Sequence, residues 1–138
     1  MIKKLLSSGV TNLQLNFAIL IGRVSFGVAM LTHGWPKLAN YSAIAPNFPD
    51  PIGVGSEFSL ALAVFSEFFC SILLILGLGT RLALIPLLIT MMVAFFIHHA
   101  GDAFGDKELS FLFMFGFLVL FLTGPGKFSL DHKIFGSK

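Results

Sequence analysis

Charge is what this sequence has least of. Of 138 residues, 12% are Asp, Glu, Lys or Arg, where soluble domains carry about 25%. The shortage excludes an ordinary water-solvated surface. A chain this short cannot hide its 56% hydrophobic residues inside a soluble core. Cysteine is nearly missing too. Cys70 stands alone in an apolar run, so no intrachain disulfide can form and a dithiol redox mechanism lacks its second thiol. The net charge of +2 comes without a basic patch carrying interleaved aromatics, which argues against nucleic acid as a partner. No phosphate-binding glycine loop, nucleophile elbow or Walker pattern is present. Gly22, Gly27 and Gly34 match neither dinucleotide nor P-loop spacing.

What is abundant is phenylalanine, with 17 residues, and a mean hydropathy of +0.91. Lipid is therefore the expected solvent. A helix needs about 20 mostly apolar residues to cross a bilayer. Four runs meet or approach this, at about 15–33, 58–77, 82–100 and 109–123. They are continuously apolar rather than alternating, which favours helices over a barrel. The first run is read as a retained anchor, because Arg23 interrupts it and no small-residue cleavage site closes it. Helix-stopping glycines and prolines punctuate the chain at Gly77–Gly79 and Gly124–Gly126. The expected fold is all-α: a single transmembrane four-helix bundle over residues 1–138, with both termini on the same side.

Loop charges orient it. Lys3, Lys4, Arg81, Lys127, Lys133 and Lys138 face only Asp131 on one side. On the other, Lys37 and Lys107 are outnumbered by Asp50, Glu57, Asp102, Asp106 and Glu108. The positive-inside rule places the termini in the cytoplasm, as in a multi-pass integral membrane protein. Residues 34–57 then form an extracytoplasmic loop rich in proline and aromatics, read either as a lid or as a plain interfacial linker.

Charges inside spans are costly and turn toward protein or water. Arg23 lies about 12 Å and Glu67 about 15 Å from the cytoplasmic ends of their spans. The matching depths predict an Arg23–Glu67 ion pair. Ser59, Ala63, Glu67, Cys70, Ser71 and Gly77 share one sector of the second span, small or polar as helix contacts in lipid are. Two readings stand: a clamp that fixes the bundle, or the polar floor of a ligand or quinone pocket. Toward the outer ends gather His33, Lys37, His98 and Asp102. Asp102 is placed at i+4 from His98, which is expected to point inward while the adjacent His99 points elsewhere. These groups are read as water-satisfied interfacial side chains, as proton carriers for a quinone, or more weakly as metal ligands through His33 and His98. Cys70 reads as a packing residue.

The order of motifs resembles the DoxX family of small membrane proteins. They are Arg23-Val-Ser-Phe-Gly27, His33-Gly-Trp-Pro-Lys37-Leu38, Glu67-Phe-Phe, Leu76-Gly-Leu-Gly-Thr80-Arg81-Leu82-Ala83, Ala94-Phe-Phe-Ile-His98-His99-Ala-Gly-Asp102 and Gly124-Pro-Gly-Lys127-Phe-Ser-Leu-Asp131. The resemblance implies four transmembrane helices and a link to redox chemistry, since relatives include a subunit of an archaeal thiosulfate:quinone oxidoreductase and a mycobacterial partner of antioxidant enzymes. It supplies no agreed catalytic residues. Arg23, His33, Lys37, Glu67 and His98 are polar positions that the chain shares with the family. The expected function is a component of a quinone-linked membrane oxidoreductase system, with a redox partner or other membrane proteins supplying electrons. The alternative is a non-catalytic membrane subunit or assembly factor.

Overall fold

A computed structural model describes residues 1–136. Lys138, counted above with the basic end, lies outside them. All regular secondary structure among the described residues is helical, with no strand. Long helices α1 (Asn12–Ala39), α2 (Ser56–Leu76) and α3 (Thr80–His98) are each long and apolar enough to cross a membrane. Helix α4 (Phe104–Thr123) is 20 residues long but carries Asp106, Lys107 and Glu108 near its start. A short helix α5 (Leu130–Phe135) follows.

Local chemistry sets the boundaries. Thr11 opens α1 with a capping box: its Oγ1 accepts from Gln14 N at 3.2 Å, and Gln14 Oε1 accepts from Thr11 N at 2.9 Å. Gly77 and Gly79 turn the chain from α2 to α3 at φ of 67° and 57°, which glycine adopts without steric cost. Helix α1 does not stop at His33. It runs through Pro36 to Ala39, so the connection to α2 is shorter than 34–57. Proline costs α1 one N–H. The turn is recovered downstream, where Asn40 gives both its backbone N–H and its side-chain amide to Pro36 O. The connection is itself packed: Tyr41, Ile44 and Phe48 rest on a small core of Ala45, Leu60 and Val64.

Helices α1 and α2 lie side by side, α3 lies along α4, and α2 meets α3. Met30, Leu74, Leu84, Leu87 and Phe117 fill the centre, and Cys70 is buried in the same cluster. The outer surface is also oily: Phe65, Phe69, Leu82, Ile89, Phe115 and Leu122 are exposed. So much exposed apolar surface fits hydrocarbon, not water. The protein is an integral membrane protein with several apolar helices. At Gly34, α1 touches α2 so closely that an added Cβ would stand 2.5 Å from the carbonyl carbon of Glu67.

A second close contact ties the tail to the α2–α3 turn. Arg23, 1% exposed, spreads its guanidinium over backbone carbonyls. Nε donates to Leu74 O at 3.2 Å, Nη2 to Ile75 O at 3.3 Å and Phe128 O at 2.9 Å, and Nη1 to Pro125 O. Leu74 and Ile75 belong to the last turn of α2, where the helix dipole favours a cation; Leu74 O also accepts from Gly77 N at 3.1 Å. Gly77 sits against this group: a Cβ there would lie 2.7 Å from Arg23 Nη1. Asp131 closes the clasp. Its oxygens accept from Gly79 N at 2.7 Å and Thr80 N at 2.9 Å, capping α3, while its own N–H donates to Gly77 O at 2.8 Å. Burial raises the Asp131 carboxyl pKa, but the N–H groups of Thr80 and Gly79, with Arg23 nearby, outweigh it and hold the group below its usual range.

Arg23→Ala is expected to cost roughly 2–4 kcal/mol, read as detergent-induced unfolding in micelles, because buried carbonyls lose their donors. Arg23→Lys should recover less than half of that loss, lacking the planar fork. A depressed folded-state pKa means Asp131 stabilises above the ordinary carboxylate range, near about 4, and that this contribution fades as pH falls through the lower folded value. Asp131→Asn should therefore unfold more easily at pH 7 and show a flatter stability profile on the acid side.

Candidate functional site

Near the other end of the molecule, α2, α3, the end of α1 and the α1–α2 connection enclose a cavity of about 350 Å³. Its walls are mostly apolar, from Leu62 and Ala63 of α2 to Ile89 and Val93 of α3. Phe48, Pro49, Pro51 and Ile52 line it from the connection. Its polar groups are Lys37, Ser59, Glu67, Thr90, His98 and His99.

Two helical irregularities aim those groups. Phe65–Cys70 of α2 and Ala94–His98 of α3 are π-helical turns, which hold an extra residue per turn and recur at functional sites. Glu67 sits in the first and His98 ends the second. Glu67 is 5% exposed and accepts a hydrogen bond from Lys37 Nζ, forming an ion pair inside the cavity. Lys37 reaches it because α1 continues past Pro36, with Gly34 seated on the Glu67 backbone one turn earlier. A carboxylate so enclosed is tolerable in an apolar medium only with such a partner.

The expected Arg23–Glu67 pair is not formed. Both side chains are buried, but Arg23 is spent on the carbonyls of the clasp and Glu67 on Lys37. A guanidinium carries five donors and a helix end offers unpaired carbonyls, so Arg23 needs no carboxylate to be satisfied.

The histidines also divide differently. His98 lines the cavity, and so does His99, with ring centroids 4.5 Å apart. Asp102 pairs with His99, not His98: His99 Nδ1 and Asp102 Oδ2 are 2.6 Å apart. The helix ends at His99 with φ −102° and ψ 23°, so regular i+4 spacing no longer applies. His33 lies outside the cavity, edge-on to Phe113 of α4 at 6.0 Å. It is turned about 100° from Gly34, which faces α2. His33 and His98 are thus not brought together. Among the described residues no group of three His, Cys, Asp or Glu side chains is placed to hold a metal ion.

Asp50 pins the connection. Its carboxylate accepts from Val54 N at 2.9 Å, Gly55 N at 2.8 Å and Ser59 Oγ at 2.8 Å, fastening the stretch over the cavity to the first turns of α2. The N–H of Gly55, then the Ser59 hydroxyl, keep this carboxyl below its usual pKa. Sequence reading missed the Lys37–Glu67 pair, the inward turn of His99 and this tether. Only the first left a trace, in the alignment of Gly34 and Lys37 on one helix that proline does not end.

The arrangement can seat a flat or elongated apolar molecule with a few hydrogen-bonding atoms, and can hand protons to it. Known proteins place it in context. The DoxX family model matches residues 18–100, a stretch that holds Arg23, Lys37, Glu67 and both cavity histidines. The chain is 31% identical over 121 residues to inner membrane protein YqjF of Escherichia coli (strain K12), covering 84% of this chain and 91% of the relative. It is 29% identical to inner membrane protein YphA of the same organism, covering 83% and 89%. With the uncharacterized membrane protein Rv3486 of Mycobacterium tuberculosis (strain ATCC 25618 / H37Rv) it shares 30% identity, over 81% and 78%. No solved structure matches the chain. On the family match and these relatives, the chain belongs to the DoxX family of integral membrane proteins.

Proposed function

We propose that this protein binds a quinone in the cavity and exchanges protons with its headgroup, as one component of a membrane oxidoreductase system. One observation carries the reading. A buried carboxylate paired with a half-buried lysine, and two imidazoles, line an apolar cavity between membrane helices. Small-molecule sites have this character: roughly 300–1,000 Å³, apolar walls, and a few placed polar groups. Lys37 can donate to one quinone oxygen, and His98 to the other. Reduction to the quinol takes two electrons and two protons. The protons come from the Lys37–Glu67 pair and the imidazoles, refilled from water at the His99–Asp102 mouth. The electrons come from a partner protein, since a lone buried cysteine cannot form a dithiol couple.

In this reading all four long helices cross the bilayer as one bundle, with both termini cytoplasmic. The charge asymmetry of the two ends supports that orientation. The length of α4, about 30 Å at 1.5 Å per residue, supports its crossing.

Trp35, the one tryptophan, packs against Phe68, the neighbour of Glu67, with ring centroids 6.0 Å apart, and serves as the reporter of binding. Decylubiquinone added to the protein in nanodiscs should quench its emission saturably. Lys37→Ala and His98→Ala should each weaken that binding about tenfold, or about 1.4 kcal/mol. Glu67→Gln should spare part of the binding but abolish quinol formation driven by a membrane dehydrogenase. Quenching that stays linear and identical in all variants would rule the site out and leave a non-catalytic subunit as the reading.

A further inference from the structure

We infer that the basic end of the molecule is a binding site for an anionic phospholipid, its headgroup seated between the start of α1 and α5. The site is independent of the cavity above. A notch of about 370 Å³ opens there, lined by Asn16, Lys127, Asp131, His132 and Phe135 among others. Its frame is fixed by hydrogen bonds. Asn16 Oδ1 accepts from Lys127 N at 2.6 Å, which holds Lys127 beside the first turns of α1. Ser129 Oγ accepts from His132 N at 3.1 Å, and the His132 ring makes no hydrogen bond among the described residues. Lys127 and His132 are therefore the donors left for a phosphate.

Asp131 is the adverse group, and its charge is already engaged. Both of its oxygens accept N–H bonds from the α3 start, with Arg23 close by. The surroundings are basic: Lys133 follows on α5, and Arg81 lies across the turn, where it holds the α4 end through Phe121 O at 3.0 Å.

Apolar side chains beside the notch choose a lipid over a free anion. Ile134 is 60% and Phe135 74% exposed, next to Lys133. The helical turn Ile2–Leu5 ahead of α1 repeats the pattern, with Ile2 and Leu5 exposed around Lys3 and Lys4. Apolar residues interleaved with lysines are what lies in a headgroup layer and prefers anionic lipid. A soluble phosphate would satisfy the lysines and leave the isoleucine and phenylalanine in water.

The test uses the full chain in nanodiscs of phosphatidylcholine with increasing phosphatidylglycerol, read by thermal midpoint and by lipids retained in native mass spectrometry. At low salt, phosphatidylglycerol should raise the midpoint and saturate at a small mole fraction. The double variant Lys127→Gln with Lys133→Gln should weaken retention about 25-fold, at about fivefold per lysine. Salt at 0.5 M should do the same. Lys107→Gln, at the opposite end, should leave it unchanged. Equal retention in the double variant, an equal effect from phosphatidylcholine alone, or full replacement of the effect by soluble glycerol phosphate would overturn the proposal.

Discussion

A cation in hydrocarbon has to be surrounded, and the way Arg23 is surrounded organises one end of this protein. Its guanidinium is shared among the last turn of α2 and two residues of the segment after α4. That segment would otherwise have little reason to fold back. Once it does, Ser129 can start α5 and Asp131 can cap α3. The interaction is between a charge and carbonyl dipoles rather than between two charges. It needs no second ionised group to be desolvated, which is the usual penalty of a buried salt bridge.

That arrangement leaves Glu67 free for a different partner, and the two ends of the molecule acquire different characters. The Arg23 end is held by hydrogen bonds to the backbone. The Glu67 end holds a cavity whose polar groups belong to side chains. Both depend on close approach of α1 and α2. Gly34 places α1 against Glu67 and lets Lys37 reach it, while Gly77 makes room for Arg23. The same pair of helices is therefore part of a clasp at one end and a site wall at the other.

The parts legible in the sequence were those that depend on hydrophobic length and turn chemistry. Apolar runs located the long helices, and Gly77 and Gly79 located the turn. Burial of both Arg23 and Glu67 was readable from their positions in those runs. Partner choice was not, because carbonyls at a helix end carry no sequence signature and Arg23 chose them. Angular reading failed where the helices stop being regular. The π-helical turns at Phe65–Cys70 and Ala94–His98 displace the 100° wheel that had turned His99 away, and the end of α3 moves Asp102 onto it. The loop expected from residue 34 was placed too early: α1 continues through Pro36 to Ala39, which carries Lys37, already a candidate pocket residue, to Glu67.

The clasp also has a history in time. Two of the four carbonyl partners of Arg23, at Pro125 and Phe128, are made more than 100 residues after it. While the ribosome works through the intervening helices, the guanidinium is only half dressed. The nascent bundle must keep that charge wet, or sheltered by the insertion machinery, until the tail emerges. Arrival of Pro125 and Phe128 is thus the moment at which this end of the protein can dry and lock.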